Sequence, residues 1–250
     1  MPVGKCRLCL RTGPLQNSHF IPAALYKFGP KPMFATRKTA GSGMRELQTY
    51  LLCRECEQRF NRNGESELIR WLAPKANTKG IFPLLDKLKK VTPRHSGPSL
   101  IIFSGSDLGI DTDRFAYFVL SIVWRGAVHR WTLPDGSITS PISLGGYEEP
   151  IRRFLLGTAP FPTDTVVVVT VCTDQASRGA WFTPTAIPEN PLSTYAFLSQ
   201  GVYFRVLTGR QLPEQMRQIC CSSSPHKFIF ARSCEDKTME AYASLSSSRN

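Results

Sequence analysis

Two Cys-x-x-Cys pairs, Cys6-Arg7-Leu8-Cys9 and Cys53-Arg54-Glu55-Cys56, constrain this chain more than any other feature of its sequence. The 43 residues from Leu10 to Leu52 separate them. Each pair offers two thiolates from one tight turn. Together they supply the four sulfurs, each at roughly 2.3 Å from the ion, of a closed tetrahedral zinc site. An ion held this way fixes both ends of a module too small to hold itself together, so its binding energy is folding energy. The other cysteines, Cys172, Cys220, Cys221 and Cys234, show no metal-ligand spacing. A redox Cys-x-x-Cys sits singly beside a βαβ pattern, and neither pair has one around it. The placement argues against disulfides. The N-terminus also lacks the apolar stretch of a secretory signal, so the expectation is a cytoplasmic chain.

The chain has 250 residues, room for one large domain or two modest ones. Its longest apolar run, Phe115 to Val123, is interrupted by Ser121. That is far short of the roughly 18–20 apolar residues a membrane helix needs, so no membrane partner is expected. Lys and Arg number 31 against 19 Asp and Glu, a net charge of +12. Such a balance suits a partner rich in phosphate, because each neutralised phosphate releases counterions. Within the long Gly- and Pro-rich stretch between the knuckles, Lys27, Lys31, Arg37, Lys38 and Arg45 form a basic segment with no acid among them. They are the candidate nucleic-acid-binding residues.

The pattern predicts an α+β protein. Residues 1–75 form the cysteine-bearing module, with a strand over 15–22 and a helix opening at the second knuckle, which Asn63-Gly64 divides. A linker or short helical region follows over 76–98. A mixed α+β domain of unassigned role spans 99–243, a surface for a protein partner among its possible uses, and 244–250 is a flexible tail. Strands are expected at 99–103, 165–172, 180–183, 202–207 and 228–230. Helices are expected from Asp111 or Thr112 to near Trp131, and from Glu148 to Leu156 with a stop at Gly157. Trp124, Arg125 and Trp131 read as core and surface residues, and His95, His129 and His226 as structural.

Between the knuckles lies Ser18-His19-Phe20-Ile21-Pro22, and Leu51-Leu52 precedes the second knuckle. Over residues 4 to 70 the run of Cys-x-x-Cys, a strand with His-apolar-apolar-Pro, and Leu-Leu-Cys-x-x-Cys opening a helix resembles the zinc-stapled ββα-metal (treble-clef-like, His-Me) finger of HNH endonucleases, bacterial HNH-like proteins included. The resemblance implies a metal-dependent nuclease with DNA ahead of RNA as substrate. It implies His19 as general base, work to which a neutral imidazole is suited. The family's metal-binding acid before the histidine is here Ser18, a neutral and weaker ligand. The position after the last zinc cysteine is Glu57, a hard oxygen donor suited to Mg²⁺ or Mn²⁺. Asn61 lies one turn further along that face and Glu65 two turns from Glu57. The motif's middle asparagine has no clear counterpart, although Gln48 and Thr49 fall near its place. Arg54, Arg59 and Arg62 could grip phosphates from the same helix. Two other functions remain open: a non-catalytic nucleic-acid-binding finger in which Ser18 marks a lost metal site, and a zinc-stapled protein-interaction scaffold.

Overall fold

In the computed structural model the first knuckle is the turn joining β1 (Val3–Lys5) to β2 (Thr12–His19). The short helix α1 (Ala23–Tyr26) and the strands β3 (Met33–Ala35) and β4 (Ala40–Ser42) follow. β5 (Gln48–Cys53) then returns alongside β2, with His19 opposite Gln48. β1, β2 and β5 make a three-stranded antiparallel sheet. α2 (Arg54–Phe60) begins at the residue after β5. A π-helical turn (Asn61–Glu65) and α3 (Ser66–Leu72) continue from it. The structure describes residues 1–26, 33–35, 40–42, 46–73, 82–133, 136–139, 141–175, 177, 180–188 and 192–234; of residues 33–35, 40–42, 180 and 188 it describes the backbone alone.

The remaining elements are α4 (Pro83–Leu88), β6 (His95–Ser96), β7 (Ile101–Ser104), α5 (Gly105–Leu108), α6 (Thr112–Val128), a 3₁₀ turn (Gly145–Tyr147) and α7 (Glu148–Leu156). They continue with β8 (Thr165–Cys172), β9 (Ala180–Pro188), β10 (Ser193–Ser199), β11 (Val202–Thr208), α8 (Glu214–Gln218) and β12 (Phe228–Arg232). Nine strands form one mixed sheet in the order β4-β3-β9-β10-β11-β8-β12-β7-β6. All eight residues of β8 are buried. A central strand covered on both faces needs apolar side chains at every position, and this explains the unbroken valine run. β10 and β11 join through Gln200-Gly201, whose φ values of 50° and 75° make the two-residue turn that matches strand twist.

α6 carries the middle of the core. Asp111 caps it by accepting the Arg114 N–H at 3.1 Å. Every residue from Phe115 to Gly126 is buried, as befits a helix that is apolar all round. One face lies on the nine-stranded sheet and another meets the π-helical turn. Gly64 makes that second approach possible. A Cβ there would stand 2.9 Å from the Phe118 nitrogen and 3.0 Å from its Cα, so backbone would have to move. Gly64→Ala is therefore expected to lower stability by about 1–3 kcal/mol, read as a reduced urea midpoint with an unchanged slope. The Asn63-Gly64 interruption expected from the sequence is thus a widened helical turn rather than a break.

Strands and core both cross residue 75. β3, from the segment between the knuckles, pairs in parallel with β9. One apolar cluster runs from Leu8 through Phe60, Leu68 and α6 to Val167 and Ala231. α4 contributes Leu84, Leu85 and Leu88 to it, so the stretch expected as a linker or short helical region holds a short helix that is partly core. Among the described residues no helix is long and apolar enough to cross a membrane.

Candidate metal centre and the cavity beside it

The two knuckles come together because β5 runs back along β2. Arg7 N–H bonds to the Leu51 carbonyl at 3.1 Å, tying the first knuckle to the strand that delivers the second. Within the first knuckle Cys6 N–H reaches Arg11 O, and Leu10 N–H reaches Cys6 O, each at 2.9 Å. Leu10 adopts a positive φ of 63° to close this turn. Arg152 of α7 donates to the Leu8 carbonyl, and Arg11 pairs with Glu55 across the two knuckles.

The sulfurs of Cys6, Cys9, Cys53 and Cys56 lie within 4.8 Å of one another. Cys9 Sγ and Cys53 Sγ stand 3.8 Å apart. A tetrahedron with metal–sulfur bonds of about 2.3 Å has edges of about 3.8 Å, so the spacing fits zinc. It does not fit a disulfide at about 2.05 Å. All eight cysteines are free thiols. The hydrogen bond with Cys56, which outweighs burial, pulls the Cys6 thiol down to about 4. The cluster can hold one zinc ion, and it would do so as a closed site without an open position for chemistry.

A cavity of about 510 Å³ opens beside the second knuckle. His19 from the end of β2, Glu57 from α2, Asn61 and Glu65 from the π-helical turn, and Arg125 from α6 all line it. Four of the residues singled out from the sequence thus share one space. His19 Nε2 lies 2.7 Å from Glu46 Oε2, and Gln48 Nε2 lies 2.9 Å from the same ring nitrogen. Asn17 donates to Gln48 Oε1, which sets the direction of that amide. Of the two positions near the expected orienting asparagine, Gln48 is therefore the one at the imidazole.

Glu57 is half-buried, and its Oε1 is enclosed with no hydrogen-bond partner among the described residues. Burial pushes its carboxyl above the usual range, opposed by the Arg125 charge and the neighbouring Ser18 hydroxyl. Ser18 itself is 1% exposed and does not line the cavity; its Oγ accepts the Leu52 N–H at 3.2 Å. Asn61 is exposed at the rim, where Gln58 and Arg62 also stand. Glu65 is buried and paired with Arg125 at 2.7 Å. The guanidinium of Arg125 also donates to the Phe20 carbonyl at 3.3 Å and sits 4.7 Å above the Phe60 ring. This buried cation therefore joins the residue after His19, the π-helical turn and α6.

Glu46 and Arg125 are the site residues that sequence reasoning missed. Glu46 carries no motif. Arg125 had a signal, since one cation inside a fully apolar helical run must find a buried partner. Lys27, Lys31, Arg37, Lys38 and Arg45 lie outside the described residues. Comparison with protein-family models, curated proteins and solved structures found no match for this chain.

Proposed function

We propose that the chain is a metal-dependent nuclease of the HNH type, with β2, β5 and α2 as its ββα-metal finger and a structural zinc held by the four knuckle cysteines. The observation that carries this is the shared 510 Å³ cavity, lined by His19, Glu57 and Asn61 directly beside the cysteine cluster. The chemistry follows from the contacts of His19. With its Nε2–H donated to Glu46, the ring keeps the Nδ1 lone pair for a proton. His19 takes that proton from water, and the resulting hydroxide attacks a phosphodiester. Glu46 holds the ring in this tautomer and stabilises the imidazolium that forms. The enclosed oxygen of Glu57 and the amide oxygen of Asn61 are hard donors suited to Mg²⁺ or Mn²⁺, while Glu65 is engaged by Arg125. When bound there, such an ion would stabilise charge on the scissile phosphate and the leaving 3′ oxygen. Arg62, exposed at the rim, is a cation for backbone phosphates, a contact that positions without reading sequence.

Ser18 favours one alternative. Its buried, engaged hydroxyl stands where the resemblance expects a metal-binding acid, as in a finger that binds nucleic acid without cutting it. Supercoiled plasmid DNA and a folded RNA, incubated with the protein in Mg²⁺, Mn²⁺ or chelator, separate the two. Nicking or cleavage that needs the divalent ion is expected, with DNA preferred. Binding of either polymer without cleavage under any divalent ion would leave the non-catalytic finger. No binding at low salt would leave a scaffold.

Glu57→Gln should separate function from stability. A carboxyl raised by burial destabilises the fold as pH climbs from its unfolded value near ~4.3 through its raised folded value. At pH 7 the substitution removes that penalty. It is expected to raise stability modestly, because an amide carries no charge to desolvate. Cleavage should fall by at least about a hundredfold, because the anionic ligand is gone. Calorimetry and a single-turnover assay on the same preparation check both signs.

A further inference from the structure

A second group of ligand atoms gathers far from the knuckles in sequence. Cys172 closes β8, Asp174 lies in the turn after it, and Cys234 follows two residues after β12. The two strands run parallel, with Arg232 opposite Cys172, so both chains leave the sheet on the same side. There the two sulfurs and a carboxylate oxygen of Asp174 lie within 4.8 Å of one another. Cys172 is 0% and Cys234 4% exposed, and neither is in a disulfide. We propose that Cys172, Asp174 and Cys234 bind a second zinc ion, in a site with three protein ligands and one open position.

The donor set selects the metal. Two thiolates reject Mg²⁺ and Ca²⁺, whereas zinc accepts sulfur at about 2.3 Å together with a carboxylate at about 2.0–2.2 Å. Asp174 is already oriented. Its Oδ1 accepts the Ser177 N–H at 2.8 Å and its Oδ2 the Cys234 N–H at 2.6 Å. Outer bonds of this kind fix ligating carboxylates in metal sites. Two thiolates and a carboxylate leave one net negative charge around a divalent ion. Arg205 and Arg232 line the same cavity of about 260 Å³ as Cys234 and bring positive charge to that side. The ion would clip the end of β12 to the end of β8.

Elemental analysis of the full chain, purified under reducing conditions without chelator, tests the site. Two zinc ions per chain are expected. Cys172→Ser with Cys234→Ser should leave one, and Cys53→Ser should also leave one, of the other kind. Asp174→Asn preserves the sulfur packing and one amide-facing oxygen, so it guards against misfolding of the double variant. It should stay folded by circular dichroism and lose its second ion to a mild colorimetric chelator. Two ions retained in both Asp174→Asn and the double serine variant would overturn the proposal. So would one ion in the unaltered chain that only Cys53→Ser removes, or a Cys172–Cys234 disulfide found by non-reducing peptide mapping.

Discussion

His19→Ala is expected to slow phosphodiester cleavage by about 10²- to 10⁴-fold, the range for removing a positioned general base. Nucleic-acid affinity should stay within a few fold, because the imidazole takes a proton and grips no phosphate in the proposed reaction. Single-turnover plasmid nicking with saturating protein isolates the chemical step. Retention of cleavage within about tenfold of the unaltered protein would remove His19 from the mechanism. Glu46→Gln is the companion measurement. The amide can still meet the ring at the 2.7 Å contact but cannot balance an imidazolium charge. An intermediate loss in rate is therefore expected, with binding unchanged. If His19→Ala abolishes cleavage and Glu46→Gln leaves it intact, the Glu46 charge is not needed to support the imidazolium, and its part in the reaction is limited to accepting the Nε2–H.

The parts of the fold that were legible in the sequence are those governed by local rules. β8 matches the expected strand from Thr165 to Cys172 because a buried central strand needs an unbroken apolar run. α7 stops where Gly157 takes a left-handed conformation with φ of 76°, as the glycine after the apolar run predicts. The four knuckle cysteines cluster as their paired Cys-x-x-Cys spacing, which suits metal ligation, leads one to expect. Long-range pairing left no such trace. β3 and β4 leave the cysteine-bearing segment to extend the sheet at β9, and no local pattern in Met33 to Ser42 announces a partner so distant in the chain. β10 was not expected as a strand, although Gln200-Gly201 marks its turn.

The cavity divides in the same way. His19, Glu57 and Asn61 were found because a motif orders them along the chain. Glu65 lies two turns from Glu57 along the chain, but helical spacing does not say what covers a face. Its partner, Arg125, comes from α6, and the 2.7 Å pair between them exists through tertiary packing alone. The π-helical turn adds to the difficulty. It shifts residues after Asn61 relative to an ideal helix, so the face carrying Glu65 cannot be read from a period of 3.6.

Cys56→Ser should have the largest effect on stability, and a second cysteine shows why. Both Cys56 and Cys220 are buried, at 2% and 0% exposure. Cys220 Sγ, a weak acceptor, takes the Val167 N–H at 3.5 Å and packs among apolar residues. Cys220→Ser should therefore cost about 1–3 kcal/mol, as expected for placing a hydroxyl in an apolar site. Cys56 stands in the four-sulfur cluster, at the first turn of the helix that also carries Glu57. Losing one thiolate would weaken an ion held there, which would join two turns 44 residues apart. Zinc binding in small fingers is worth about 10–16 kcal/mol, comparable to or larger than the whole stability of an ordinary domain. Cys56→Ser is thus expected to lose one zinc equivalent and to melt β1, β2 and β5 first. Hydrogen exchange should report that loss there before it reaches β8. Cys220→Ser should keep its zinc and unfold as one unit. If the two variants prove equally stable with equal metal content, the knuckle sulfurs hold the fold by packing alone, and the distance from His19 to Glu57 is set by the shared apolar core rather than by an ion.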